Sequence, residues 1–151
     1  MVFQKDFHDL CALLNDQNVD YLIVGAYAVA FHGAPRATGD FDVLIRPDAE
    51  HVARLLRAVK RFGFPSEEVT PEYLLSQSKI LQLGREPVQI HIMTSISGVS
   101  WEDAWKSREP ASYSGLPVFV IGRSELLANK AAAGRFKDLA DLEALRRKGK
   151  S

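Results

Sequence analysis

Asp40 and Asp42 stand two residues apart in the run Asp40-Phe-Asp-Val-Leu-Ile45, an acidic pair set into an otherwise apolar segment. On a β-strand, side chains i and i+2 share a face, so the spacing predicts two carboxylates side by side. Carboxylates that close repel, and both stay ionised only beside a metal ion or a basic group. Placed so, the two are close enough to share a divalent cation. An isolated Asp-x-Asp also arises wherever a strand starts on a solvated face; here the flanking Phe41, Val43, Leu44 and Ile45 weigh against that. Arg36 is positioned to supply compensating charge, and Thr38 to hydrogen-bond back and hold the turn into the strand.

Upstream, the apolar run 21–25 ends in Gly25 and hands over to a short segment of small residues, 26–32, that reads as a helix closed by Gly33 and Pro35. The first amides of that helix and its positive dipole end suit a phosphate. His32, beside Gly33 and Arg36, either lines such a pocket or stabilises the helix C-terminus. Downstream, His91 lies in the strand-like run 88–94, where it is a metal ligand, a base at neutral pH, or a packed strand histidine. Lys130, Arg135 and Lys137 are followed by Asp138 and Asp141. From spacing alone Lys130 reads as a solvated helical lysine, and Asp138 and Asp141 as plain helix-surface charges.

The elements that must position these groups are readable in outline. Helical spacing covers residues 3–17, with Phe7, Leu10, Cys11 and Leu14 as its apolar stripe, which makes Cys11 a core residue. A strand is predicted over 41–46, led in by Asp40. A helix opens at Pro47-Asp-Ala-Glu50, buries Val52, Leu55, Leu56 and Val59, and ends at Gly63. Thr70-Pro71 starts a shorter helix. Strands over 79–83 and 88–94 form a hairpin around Gly84-Arg-Glu-Pro87. Ser100-Trp-Glu-Asp103 resembles a capping box, with Trp101 and Trp105 as packing residues on the helix that follows. A last strand covers 116–121, Ser124 caps a helix over 125–133, and a final helix runs from 136 to 147 into a basic, frayed tail. Without a regular βαβ rhythm, the expected class is α/β of the α+β kind, a mixed sheet with helices packed on it.

Composition restricts the setting. The 151 residues suit one domain spanning 1–151, and 46% hydrophobic with 25% charged residues is the balance of a globular protein. Nineteen basic and nineteen acidic side chains cancel. A polyanionic partner therefore has to be held by a local patch rather than a global field. The single cysteine suits a reducing compartment, and the absence of a long apolar stretch predicts no membrane partner; the cytoplasm is the expected location.

Two separated stretches carry a resemblance. Gly25-Ala-Tyr-Ala-Val-Ala-Phe-His-Gly33 with Pro35-Arg-Ala-Thr-Gly-Asp-Phe-Asp42 resembles the first motif of the nucleotidyltransferase superfamily. The run Leu126-Leu-Ala-Asn-Lys130-Ala-Ala-Ala-Gly-Arg135-Phe-Lys-Asp138-Leu-Ala-Asp141 resembles a basic-then-acidic helical motif of its AbiEii-like and minimal branch. The resemblance implies a nucleotidyltransferase-type mixed sheet, with Gly25 and Ala26 against nucleotide phosphates and Arg36 and Thr38 beside them. It further implies that Asp40 and Asp42 hold magnesium or manganese, and that Lys130, Arg135 and Lys137 offer charge to an NTP. The implied activity is transfer of NMP to an RNA, protein or small-molecule hydroxyl, with a toxin–antitoxin connection. The alternative is a catalytically impaired relative that binds nucleotide, RNA or a partner protein. Two departures favour the alternative, since Ala26 replaces the second residue of a glycine pair and His91 stands where a third carboxylate is expected; the intact set of Gly25, Arg36, Thr38, Asp40 and Asp42 favours the enzyme. Were His91 to face away, Glu86 would be the first replacement to consider.

Overall fold

A computed structural model describes residues 4–64, 69–76, 79–85 and 88–148. The six strands are β1 (Tyr21–Val24), β2 (Asp40–Ile45), β3 (Ile80–Arg85), β4 (Val88–Met93), β5 (Glu109–Tyr113) and β6 (Leu116–Val120). They form one sheet in the order β3-β4-β2-β1-β6-β5. β1 runs antiparallel to β2, β3 to β4 and β5 to β6, whereas β2 with β4 and β1 with β6 are parallel. The sheet is therefore mixed, as the irregular order of elements predicts. Among the described residues seven helices accompany it: α1 (Lys5–Asp16), α2 (Gly25–Phe31), α3 (Ala49–Phe62), α4 (Pro71–Leu75), α5 (Trp101–Lys106), α6 (Arg123–Ala133) and α7 (Phe136–Lys148). None is long and apolar enough to cross a membrane.

Local chemistry sets most of the boundaries. Asp48 caps α3 by accepting from the His51 amide, Thr70 caps α4 from the Tyr73 amide, and Ser100 caps α5 from the Asp103 amide. Gly63 ends α3 in the left-handed conformation, at φ 104°. Val52, Leu55, Ala58 and Val59 bury the inner stripe of α3, which packs beside α1, and Cys11 lies fully buried among them. Phe7 of α1 stacks on Phe41 of β2 at 4.6 Å between ring centroids, and Tyr27 of α2 meets Phe41 edge-on at 5.1 Å. These rings fix β2 from beneath, leaving its other face to carry the acidic pair.

Three sequence expectations need correction. β5 is a strand where none is predicted, because Glu109-Pro-Ala-Ser-Tyr113 holds few strand-forming residues and is defined by pairing with β6. Ser124 lies inside α6, whose N-cap is Gly122 and makes no side-chain cap hydrogen bond. Arg146, Arg147 and Lys148 continue α7 rather than fraying. Glu86 and Pro87 lie outside the described residues.

Candidate active site

β2 leaves Asp40 and Asp42 half-buried on one face while Phe41 and Val43 turn to the core. Antiparallel pairing puts Val24 opposite Asp42, so β1 ends, and α2 begins, directly beside that carboxylate. Gly25 permits the approach. Its φ is 67°, and a Cβ there would lie 2.9 Å from Asp42 Cγ. Gly25→Ala therefore meets both a strained backbone and a carboxylate. We expect it to lower stability by about 2 kcal/mol and displace Asp42, as urea unfolding and nucleotide titration of the variant will show. Thr38 Oγ1 accepts from the Asp40 amide at 3.1 Å, holding the turn as its position suggests.

β4 lies parallel to β2 with His91 opposite Asp42, so the two side chains share a face. His91 Nδ1 is 3.0 Å from Asp42 Oδ1, and its Nε2 is 3.2 Å from Gln89 Oε1. Both ring nitrogens face oxygen acceptors, an arrangement that the doubly protonated ring satisfies. The hydrogen bond to Asp42 raises the His91 pKa; burial opposes it, and the charges of Asp42 and Asp40 reinforce it. A histidine so held is a weaker candidate for the neutral base that sequence alone allows. Asp40, in contrast, makes no side-chain hydrogen bond or ion pair among the described residues.

The opposite wall is the α6–α7 hairpin, turned by Gly134 in the left-handed conformation at φ 66°. Lys130 is only 5% exposed, with Nζ 3.1 Å from Asp138 Oδ1 and 3.0 Å from Asp141 Oδ2. Asp138 also accepts from Arg135 Nε at 2.6 Å. Arg36 forms a fork on Asp141, with Nε 2.7 Å from Oδ1 and Nη2 3.2 Å from Oδ2. Burial alone would raise the Asp138 carboxyl, but hydrogen bonds from Arg135 and Lys130 outweigh it and hold the group at about 2. Asp141 is lowered likewise, with Arg36 and Lys130 overcoming its burial. Arg36 is thus directly bonded to Asp141 rather than to Asp40 or Asp42, although the charge of Asp42 still acts on it. Lys130 is neither solvated nor free: it is the centre of a buried ion network. Asp138 and Asp141, rather than being solvated helical charges, hold Lys130, Arg135 and Arg36 in place.

A cleft of about 710 Å³ separates the two walls. Gly25, Asp40, Asp42 and His91 line one side, and Lys130, Arg135, Lys137 and Asp138 the other. Lys79, Ser95, Ser97 and Asn129 also line it without a sequence signal of their own: Lys79 begins no motif, Ser95 and Ser97 follow β4 in a stretch without periodicity, and Asn129 is an uncharged residue of α6 beside Lys130. Ala26 is buried behind Gly25 and does not line the cleft. His32 lies at the end of α2, with Nε2 donating to the Ile121 carbonyl at 2.7 Å, so it serves the packing of that terminus. Trp101 and Trp105 stack on each other at 5.2 Å under the Arg46 guanidinium, away from the cleft.

The donor set fits magnesium of the kind shared with a substrate. Among the described residues no three His, Cys, Asp or Glu side chains form a ready-made cage. Magnesium, however, is commonly bound by one or two carboxylates together with substrate phosphates. Asp40, without a protein partner, and Asp42, against the Gly25 backbone, supply that pair.

No protein-family model matches the sequence, and no curated protein matches it. Solved structures do match the fold. The lincosamide antibiotic adenylyltransferase LnuA, in its lincomycin-bound crystal structure, superposes with a TM-score of 0.62 at 15% identity, covering 96% of this chain and 97% of its own. A putative nucleotidyltransferase from Thermotoga maritima gives a TM-score of 0.59 at 19% identity, covering 93% of this chain and 88% of its own. The antibiotic-resistance factor ANT(2'')-Ia, in complex with adenylyl-2''-tobramycin, gives 0.60 at 13% identity, covering 93% of this chain and 86% of its own.

Proposed function

We propose that this chain, which has the nucleotidyltransferase fold, transfers NMP from an NTP to a hydroxyl acceptor with the help of magnesium or manganese. The observation that carries the reading is the Asp40–Asp42 pair, on one strand face against the backbone at Gly25, across a cleft from Arg135 and Lys137. LnuA, which shares the fold, is a lincosamide antibiotic adenylyltransferase, and ANT(2'')-Ia is seen in complex with adenylyl-2''-tobramycin; both support a small-molecule acceptor as one option beside RNA or protein. The Lys130, Asp138 and Asp141 set supports placement in the AbiEii-like branch.

In the proposed reaction, the acceptor hydroxyl oxygen bonds to the α-phosphorus as the bridge to the β-phosphate breaks. Pyrophosphate leaves, and the hydroxyl proton passes to the Asp40 carboxylate or to water. A bound divalent ion supplies neutralisation of the triphosphate and activation of the hydroxyl. Asp40 and Asp42 would hold it. Gly25 lets the triphosphate approach the backbone, while Arg135 and Lys137 face it from the other wall. Lys130 acts through the network, keeping Arg135 and α7 in place, rather than as an exposed phosphate ligand.

A second reading is favoured by one specific observation. His91 already occupies Asp42 Oδ1, so the site has one carboxylate fewer and one competing donor. On this reading the chain binds nucleotide without transferring it. Radiolabelled NTPs incubated with the chain, each divalent ion, and cellular RNA, protein and metabolites separate the two. Transfer by the wild-type chain supports the enzyme. The His91→Asp variant restores a third carboxylate and is expected to raise transfer about tenfold or more, a gain of roughly 1.4 kcal/mol in the barrier. Metal-dependent NTP binding with no transfer by either form, across all three acceptor pools, would favour the binding protein.

A further inference from the structure

The site is closed on one flank and open on the other. On the β1 side, Gly25 and α2 abut Asp42. On the β4 side, strand register sets Asp42, His91 and Gln82 in one row, with Met93 and Ile80 paired in the row beside it. Residues paired across strands share a face, so β3 and β4 extend the face of the acidic pair. Among the described residues, no helix covers that extension at Ile80 and Gln82. Ile80 is 49% exposed and Gln82 is exposed, while Leu81 and Leu83, on the other face of β3, are buried. Lys79, Ile80 and Met93 line the same cleft as Asp42.

The charge of this open flank is one-sided. On its face β3 and β4 present Ile80, Gln82, Gly84, Gln89, His91 and Met93, none of them acidic. Lys79 borders it, lying over the Tyr73 ring at 5.7 Å to the centroid and making no ion pair among the described residues. Lys137 and Arg135 face it across the cleft. Among the described residues, a cationic acceptor would find no acidic side chain on that face beyond the reacting pair, Asp138 on the opposite wall being held by Lys130 and Arg135, whereas an anion would meet Lys79 first.

We propose that the open β3–β4 face is the acceptor side of the cleft, and that it takes a small hydroxyl compound carrying its own anionic group, with Lys79 as the residue that selects the charge. This inference rests on the nucleotidyl-transfer reading above. The acceptor oxygen would approach the α-phosphorus from the β4 side, opposite Gly25, and take up the NMP as pyrophosphate leaves and the hydroxyl proton passes to Asp40 or water.

The test uses the full chain, with isoleucine, valine and methionine methyl groups labelled, loaded with magnesium and an NTP analogue whose α–β bridge is a methylene. Glucose 6-phosphate, glucose and glucosamine then serve as matched anionic, neutral and cationic probes, with oligoadenylate as a fourth. Glucose 6-phosphate is expected to shift the Ile80 and Met93 methyl signals, with glucose about tenfold weaker and glucosamine inert; Lys79→Glu, at an exposed position, reverses the order of anion and cation. If the analogue shifts Val24 but glucose 6-phosphate leaves Ile80 and Met93 unmoved, the acceptor inference is overturned while the nucleotide reading stands. A preference for glucosamine, an unchanged order in Lys79→Glu, or a shift only with oligoadenylate also overturns it. No shift with the analogue itself overturns the nucleotide reading and this inference with it.

Discussion

Asp42→Asn is expected to abolish the dependence of NTP affinity on magnesium or manganese and to lower any transfer by about a thousandfold. Asparagine keeps the shape of the side chain against Gly25 but removes one of the two charges that would hold the ion. A unit charge about 4 Å away, at the effective dielectric of a partly buried site, is worth about 4 kcal/mol, which converts to roughly that factor. The change also deprives His91 of its anionic partner, so its raised pKa should fall back toward the ordinary histidine value. Calorimetry with each NTP in the presence of metal or chelator reads the first effect. A proton-NMR titration of His91 reads the second, and it separates loss of the pair from general unfolding. An Asp42→Asn chain that keeps full metal-dependent affinity would remove Asp42 from the metal site.

The second large effect concerns stability. Lys130→Met removes the one cation that, among the described residues, touches both Asp138 and Asp141, leaving Asp138 with Arg135 and Asp141 with Arg36. Breaking a buried ion pair from one side typically costs 3–5 kcal/mol, and about 3 kcal/mol is expected here because each aspartate keeps one arginine. Urea unfolding monitored by tryptophan fluorescence will show it. The same network predicts acid sensitivity. Because the Asp138 carboxyl is held at about 2, below the usual 3.8, its stabilisation is complete above about pH 4 and is lost as pH falls toward 2. Acid unfolding of the wild type should therefore steepen in that window, and Asp138→Asn should flatten it. His91 has the opposite sign. Its raised pKa makes its contribution full below the ordinary histidine pKa, and the contribution fades as pH rises through the raised value.

What the sequence shows of this protein follows the range of each interaction. Asp40 and Asp42 are legible because a two-residue period is a local property, and the apolar residues around them mark a buried strand. The stripe on α3 and its glycine stop are legible for the same reason. The partner of Arg36 is not, because Asp141 lies 105 residues away and nothing near Arg36 in sequence announces it. Lys130 looks like a surface lysine until the Gly134 turn folds α7 back on α6. The signal was present in Lys130, Gly134, Asp138 and Asp141 taken together, a cation and two anions on either side of a helix break. β5 escapes because Pro110 and Ser112 argue against a strand and only β6 makes it one. The open β3–β4 face likewise depends on which helices fail to cover it, which no local pattern records.

Diffraction from crystals grown with manganese and an NTP analogue, recorded where manganese scatters anomalously, tests the central claim most directly. The account predicts an anomalous peak within bonding distance of both Asp40 and Asp42, with analogue phosphate oxygens completing the coordination and the triphosphate lying beside Gly25. Manganese and triphosphate bound elsewhere, or a triphosphate in the cleft with no metal at the acidic pair, would contradict it.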